Sequence, residues 1–282
     1  LVMEREFEIG ADGTVKVEID TSVAKLMHGD MDHRYSISAE VVDSSRRTIR
    51  GFGSVLAARR PYAATVWLNR GYARPGDALE ASFSARTLDG KAVQVTGSAA
   101  LFKVQVDAEG RIKEEKVKNF QLEKREKGSG EVRFKAPGPG QYRFLVRLTD
   151  EKGNEEEGAT VFLVRNVGDD GSKSRFNPLE LVVDKKEYRP GEEARILVNT
   201  RQKNSVVLLF PRSNGNSATE MRPVRIKGRS KEVGIKLTRD DIPNIHVHAV
   251  TLINGAVVTE TRQIVIPPEK RLISVEVLPA KE

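Results

Sequence analysis

The stretch His28-Gly29-Asp30-Met31-Asp32-His33 holds the densest set of metal-type ligands in the chain. Two imidazoles and two carboxylates this close together can bind zinc or another divalent ion. The competing reading is a polar loop before a strand, in which an aspartate closes the turn. No metal site is therefore expected, and His28, Asp30, Asp32 and His33 stand as its only candidates. His246 and His248 share one face of an alternating stretch, a spacing that also suits zinc, but no carboxylate partner is evident. Asp169-Asp170 and Asp240-Asp241 are adjacent pairs whose side chains point apart on extended chain, so they make poor acid–base dyads. Phosphate-binding loop, nucleophile elbow and dinucleotide fingerprint are all missing. There is no cysteine, hence no disulfide, no thiolate zinc site and no cysteine nucleophile. The expectation is no catalytic residue, no cofactor and no enzyme.

The 282 residues suit two or three domains of roughly 100 residues each. Hydrophobic residues make up 38 % and charged residues 31 %, the surface-rich balance of several small domains. The net charge of +7 would suit nucleic acid. Its lysines and arginines are interspersed with acids, however, as in Lys113-Glu114-Glu115-Lys116, and no basic stripe alternates with aromatics. No nucleic-acid partner is expected. No apolar run approaches the roughly 20 residues of a membrane helix, so no direct membrane insertion is expected either.

Alternation of apolar and polar residues runs through the chain: Thr14 to Ile19, Glu131 to Lys135, Glu232 to Leu237. Each such stretch reads as a strand with one buried and one wet face. Only Thr21 to Gly29 could hold a helical turn. Turn residues recur at Ala11-Asp12-Gly13, Leu88-Asp89-Gly90, Ala108-Glu109-Gly110, Lys152-Gly153-Asn154 and Ile253-Asn254-Gly255. The fold class expected is all-β, as tandem antiparallel β-sandwiches.

Two repeats divide the chain. Tyr35 to Asp43 and Tyr142 to Asp150 share length and pattern, and each ends on an aspartate able to bond the backbone ahead at a hairpin turn. A looser third copy runs from Ile245 to Ile253, turns at Asn254-Gly255 and returns over Val257 to Ile266. The second repeat is Tyr72-Ala73-Arg74-Pro75-Gly76-Asp77 and Tyr188-Arg189-Pro190-Gly191-Glu192. Proline presets the first position of a type II turn, and glycine takes the positive φ that follows. The tyrosine ring can cover the mouth of a sandwich while its hydroxyl reaches backbone. Together the repeats predict the closing part of a sandwich over 1–59, a complete one over 60–167, a polar linker over 168–175, a second complete one over 176–268, and the first strand of another over 269–282. Trp67, the single tryptophan, is expected to pack between domains.

The two tyrosine–proline–glycine motifs, the Val42-Asp43-Ser44-Ser45-Arg46-Arg47 hairpin and the Ile242-Pro243-Asn244-Ile245 turn resemble macroglobulin domains of the alpha-2-macroglobulin family, bacterial branch. The resemblance covers most of the chain and implies macroglobulin- or fibronectin-like sandwiches serving as scaffold. Full-length members trap proteases, which cut an exposed bait segment and in many members are captured by a thioester. The resemblance thus implies an extracytoplasmic protein, with other domains of a longer parent as partners and proteases as the parent's targets. The thioester motif needs cysteine and is not in this sequence. The best bait candidate, Pro211 to Arg222, reads more simply as a long hairpin loop. Two other classes remain open: a surface stalk or adhesin of tandem sandwiches, and an accessory module of an extracellular enzyme.

Overall fold

The computed structural model describes residues 2–10, 12–43, 45–107, 109, 111–125, 127–213 and 221–268. Strands take 57 % of the residues and helices 4 %, so the chain is all-β. The strand expected over Leu272 to Leu278 and the middle of the bait candidate, 214–220, lie outside the described residues. Two compact units result: Leu1–Ala63 with Arg86–Lys91, and Ala64–Ala85 with Ala92–Glu282.

In the first unit a helix, α1 (Ser22–His28), takes the place of the expected helical turn. It precedes an antiparallel hairpin, β1 (His33–Val42) and β2 (Thr48–Ala57), in register from His33 opposite Ala57 to Val42 opposite Thr48. The turn is held by Asp43, whose Oδ1 accepts the N–H groups of Ser45 and Arg47 at 2.8 and 3.0 Å. Thr14 to Ile19 is not part of a sheet, contrary to the alternation. A strand needs a neighbour for its backbone groups, and this stretch has none among the described residues. No side chain described between Val2 and Pro61 is fully buried.

The second unit contains two sandwiches. The first has a sheet of β3 (Ala63–Leu68), β5 (Ala78–Arg86) and β8 (Ser129–Lys135), in order β3-β5-β8. The other sheet is ordered β4-β10-β9-β6-β7, from β4 (Tyr72–Ala73), β6 (Val95–Val106), β7 (Ile112–Arg125), β9 (Gly140–Asp150) and β10 (Glu155–Val164). Alternation sends Leu79, Ala81, Phe83 and Ala85 of β5 into the core. Phe134 of one sheet stacks on Phe144 of the other with centroids 5.4 Å apart, and Phe162 closes on Phe134 at 6.2 Å.

The second sandwich pairs β11 (Leu179–Val183), β12 (Glu193–Thr200) and β15 (Ser230–Lys236) in order β11-β12-β15. Opposite lie β13 (Ser205–Ser213), β14 (Arg222–Ile226), β16 (Asn244–Ile253) and β17 (Ala256–Val265), ordered β14-β13-β16-β17. Ile196, Val207, Leu209, Val247 and Ile264 fill its centre. The loop of the bait candidate joins the antiparallel neighbours β13 and β14, as a hairpin loop does.

The motif repeat is also a structural repeat. Gly76 N–H donates to Ala136 O at 2.9 Å and Ala136 N–H to Asp77 O at 2.8 Å. Gly191 and Leu237 do the same, with Leu237 N–H returning to Glu192 O, at 2.8 and 2.9 Å. Each motif also lies parallel to its sandwich's last strand, Tyr72 opposite Leu163 and Glu187 opposite Val265.

Candidate functional site

The metal-type cluster is not assembled. Asp32 Oδ1 accepts the Arg59 N–H at 2.7 Å, the Asp30 carbonyl accepts from the Arg59 guanidinium at 2.8 Å, and His33 Nε2 lies 3.0 Å from the His28 carbonyl. Among the described residues no three histidines or carboxylates are placed to hold an ion. His246 and His248 stack with centroids 6.5 Å apart, and Thr261 Oγ1 lies 2.9 Å from His248 Nδ1. The acidic pairs serve turns. Asp241 caps Thr238 through its N–H and hydroxyl at 2.7 and 2.9 Å. Asp169 and Asp170 each accept the N–H two residues ahead, at 2.9 Å. Pro243 O accepts the Ile266 N–H at 2.8 Å, tying the Pro243-Asn244 turn to the end of the sandwich.

The polar groups converge instead where the two sandwiches meet. Gly76 has φ +84° and Gly191 φ +91°, and Asp77 N–H bonds Arg74 O at 3.1 Å, as Glu192 N–H bonds Arg189 O. The acids close these turns as well: Asp77 Oδ2 accepts the Arg74 N–H at 2.9 Å, and Glu192 Oε2 accepts that of Arg189 at 3.2 Å.

The first turn aims Tyr72 and Arg74 out of their own sandwich. Tyr72, 4 % exposed, donates its hydroxyl to Glu232 Oε2 on β15 at 2.9 Å, and Arg74 Nη2 reaches the same oxygen at 2.8 Å. Arg165, directly after β10, donates through Nη1 to the Ser230 hydroxyl at 2.6 Å. That hydroxyl donates in turn to Asn199 Oδ1 at 2.6 Å. The second arm of Arg165 meets the Asp169 carbonyl. Burial first, and the Glu232 carboxylate second, push the Tyr72 hydroxyl's pKa far up, which keeps it a donor. Burial pulls that of Arg165 down.

The expectation that each tyrosine hydroxyl reaches backbone holds for Tyr188 and fails for Tyr72, whose partner is a carboxylate. Tyr188 is satisfied at home: it donates to Asp184 Oδ1 at 2.6 Å and accepts the Lys185 N–H at 3.1 Å.

The stretch after the first sandwich is bound on both sides. Asp170 O accepts the N–H groups of Arg229 and Ser230 at 2.7 and 2.8 Å, and Arg175 O accepts the Gln141 side chain at 3.3 Å. Close approach excludes side chains here. A Cβ on Gly71 would lie 2.4 Å from Val183 O, and one on Gly228 2.4 Å from Asp170 O. Trp67, 37 % exposed, stands at the rim of a cleft along the junction, with Lys186 Nζ 5.7 Å from its ring centre.

This arrangement defines a class: tandem antiparallel sandwiches locked by a buried polar joint, in which the described residues place no reactive pair. Residues 179–282 match the family model of the alpha-2-macroglobulin bait region domain. None of the curated proteins matches in sequence. Among solved structures the chain is similar to native alpha-2-macroglobulin of E. coli, with 11 % identity and a TM-score of 0.30. It is also similar to Salmonella alpha-2-macroglobulin reacted with methylamine, with 12 % identity and a TM-score of 0.31. Each likeness covers 85 % of this chain and 17 % of the other. Overlaps that loose lend no further support.

Proposed function

We propose that this chain is a scaffold segment of a bacterial-type alpha-2-macroglobulin, whose parent is a broad-spectrum endopeptidase inhibitor working outside the cytoplasm. The observation that carries the reading is the bait-region-domain match over 179–282. The joint suits the role, since a trap must hold its domains in fixed relation until it is cut. Within the segment the work is mechanical: glycines at 71 and 228 allow close approach, and Glu232 fixes the angle. The bait candidate is the loop between β13 and β14. Domains of the parent chain are its immediate partners, and proteases are partners of the parent only.

The test uses both molecules. This chain alone, mixed with trypsin-like and elastase-like proteases, leaves their cleavage of a protein substrate unchanged. The full-length parent blocks it while sparing small substrates. A parent with no effect on either protease overturns the trap reading and favours a stalk.

A further inference from the structure

The cleft beside the joint, about 690 Å³ in volume, has a composition that the scaffold role does not use. Four cations line it, Arg70, Lys185, Lys186 and Arg262, against one carboxylate, Glu180. Two are engaged: Arg70 lies 3.6 Å from Asp77, and Lys185 3.1 Å from Glu192. Among the described residues neither Lys186 nor Arg262 pairs with a carboxylate, and Lys186 lies over the Trp67 ring. Glu180 is occupied by the Asn177 N–H at 2.8 Å. With Arg70 and Lys185 paired, Lys186 and Arg262 still outnumber Glu180, so the cleft keeps a net positive charge beside a half-exposed indole.

One wall is a strand edge. β17 ends its sheet, and Thr261, Arg262 and Gln263 line the cleft. At one end of that edge Tyr188 N–H bonds the Val265 carbonyl at 2.9 Å and Glu187 bridges, and β11 packs close beside the strand. An open edge presents unpaired N–H and C=O groups to an added strand. Side chains of such a strand alternate, so every second one would face the cations.

We propose that this cleft binds an extended acidic polypeptide segment, added along β17, with carboxylates at alternate positions facing Lys186 and Arg262 and apolar atoms against Trp67. The proposal stands apart from the trap reading, because it uses neither the Glu232 bonds nor the bait candidate.

Trp67 is the only tryptophan and lines this cleft, so its fluorescence responds to binding here. The probe is a synthetic (Glu-Thr)4 peptide titrated into the intact chain. A saturable change is expected, weakened by added salt. Reversing both rim charges, Lys186→Glu with Arg262→Glu, should weaken it about tenfold, with unchanged circular dichroism. A (Lys-Thr)4 peptide should leave the emission as it was. The proposal is overturned by a flat titration, by equal binding to the charge-reversed variant, or by free glutamate saturating the signal equally well. Tighter binding of an oligothymidylate of equal charge would assign the cleft to nucleic acid instead, and so would also overturn it.

Discussion

At the scale of single residues, the turn glycines and the acids beside them divide the work. Gly76 and Gly191 have open space where a Cβ would go, so the whole cost of Gly→Ala is backbone: an L-residue held at positive φ. That cost is about 1–2 kcal/mol. From sequence, Asp77 and Glu192 look like solvated residues leading into a strand. In the structure each accepts a backbone N–H across its turn. Asp77→Ala should therefore cost about 1 kcal/mol, the net worth of such a bond, rather than a surface substitution's few tenths. Urea midpoints of the four single alanine variants check the ranking. Silent glycine variants beside severe acid variants would mean that the motif works through its carboxylates. Glycine's part was legible because φ preference is local. The acid's bond was not, since an aspartate leading into a strand and one bridging a turn read alike.

The elements repeat one turn design. Asp43, Asp107 and Asp150 each accept the N–H groups two and four residues ahead. The Tyr–Asp repeat exposes two of these in sequence; Asp107 lacks the preceding tyrosine and escapes it. The Asn154 side chain, joined by the N–H groups of Asn154 and Lys152, holds the Asp150 carboxyl below the usual range against the opposing effect of desolvation. A depressed carboxylate stabilises the fold fully above its unfolded pKa, and that stability fades as pH falls through the folded value. Asp150→Asn should therefore lower stability near neutrality and flatten the loss of stability on acidification. Thermal melts across the acid range measure both; an unchanged acid slope counts against the assignment. Strand positions were legible wherever a partner strand followed within one hairpin. Thr14 to Ile19 shows the limit: alternation supplies a face but not a neighbour.

Across the whole molecule, what matters is a contact that no local pattern announces. Tyr72 and Glu232 are 160 residues apart, and nothing in either neighbourhood marks them as partners. Sequence reveals a tyrosine needing a polar partner and places Trp67 near a junction; which carboxylate answers depends on how two sandwiches meet. Tyr72→Phe removes one charge-assisted bond while Arg74 still holds Glu232. It should cost about 1–2 kcal/mol, felt as faster amide exchange at Arg229 and Ser230 and little change within β9. Uniform loss across both sandwiches would mean that Tyr72 matters to its own core and not to the joint.

The double bond from the Asp170 carbonyl to Arg229 and Ser230 has a mechanical corollary. Tension carried out of β10 does not have to travel through the covalent link into β11. Part of it passes sideways at Arg165 and Asp170 onto β15, the edge strand of the second sandwich. The link is thus sheltered from load until those bonds shear, and residues 168–175 can then extend to at most roughly 25–30 Å. A pull too weak to unfold either sandwich could still change the spacing between them, in one step and reversibly.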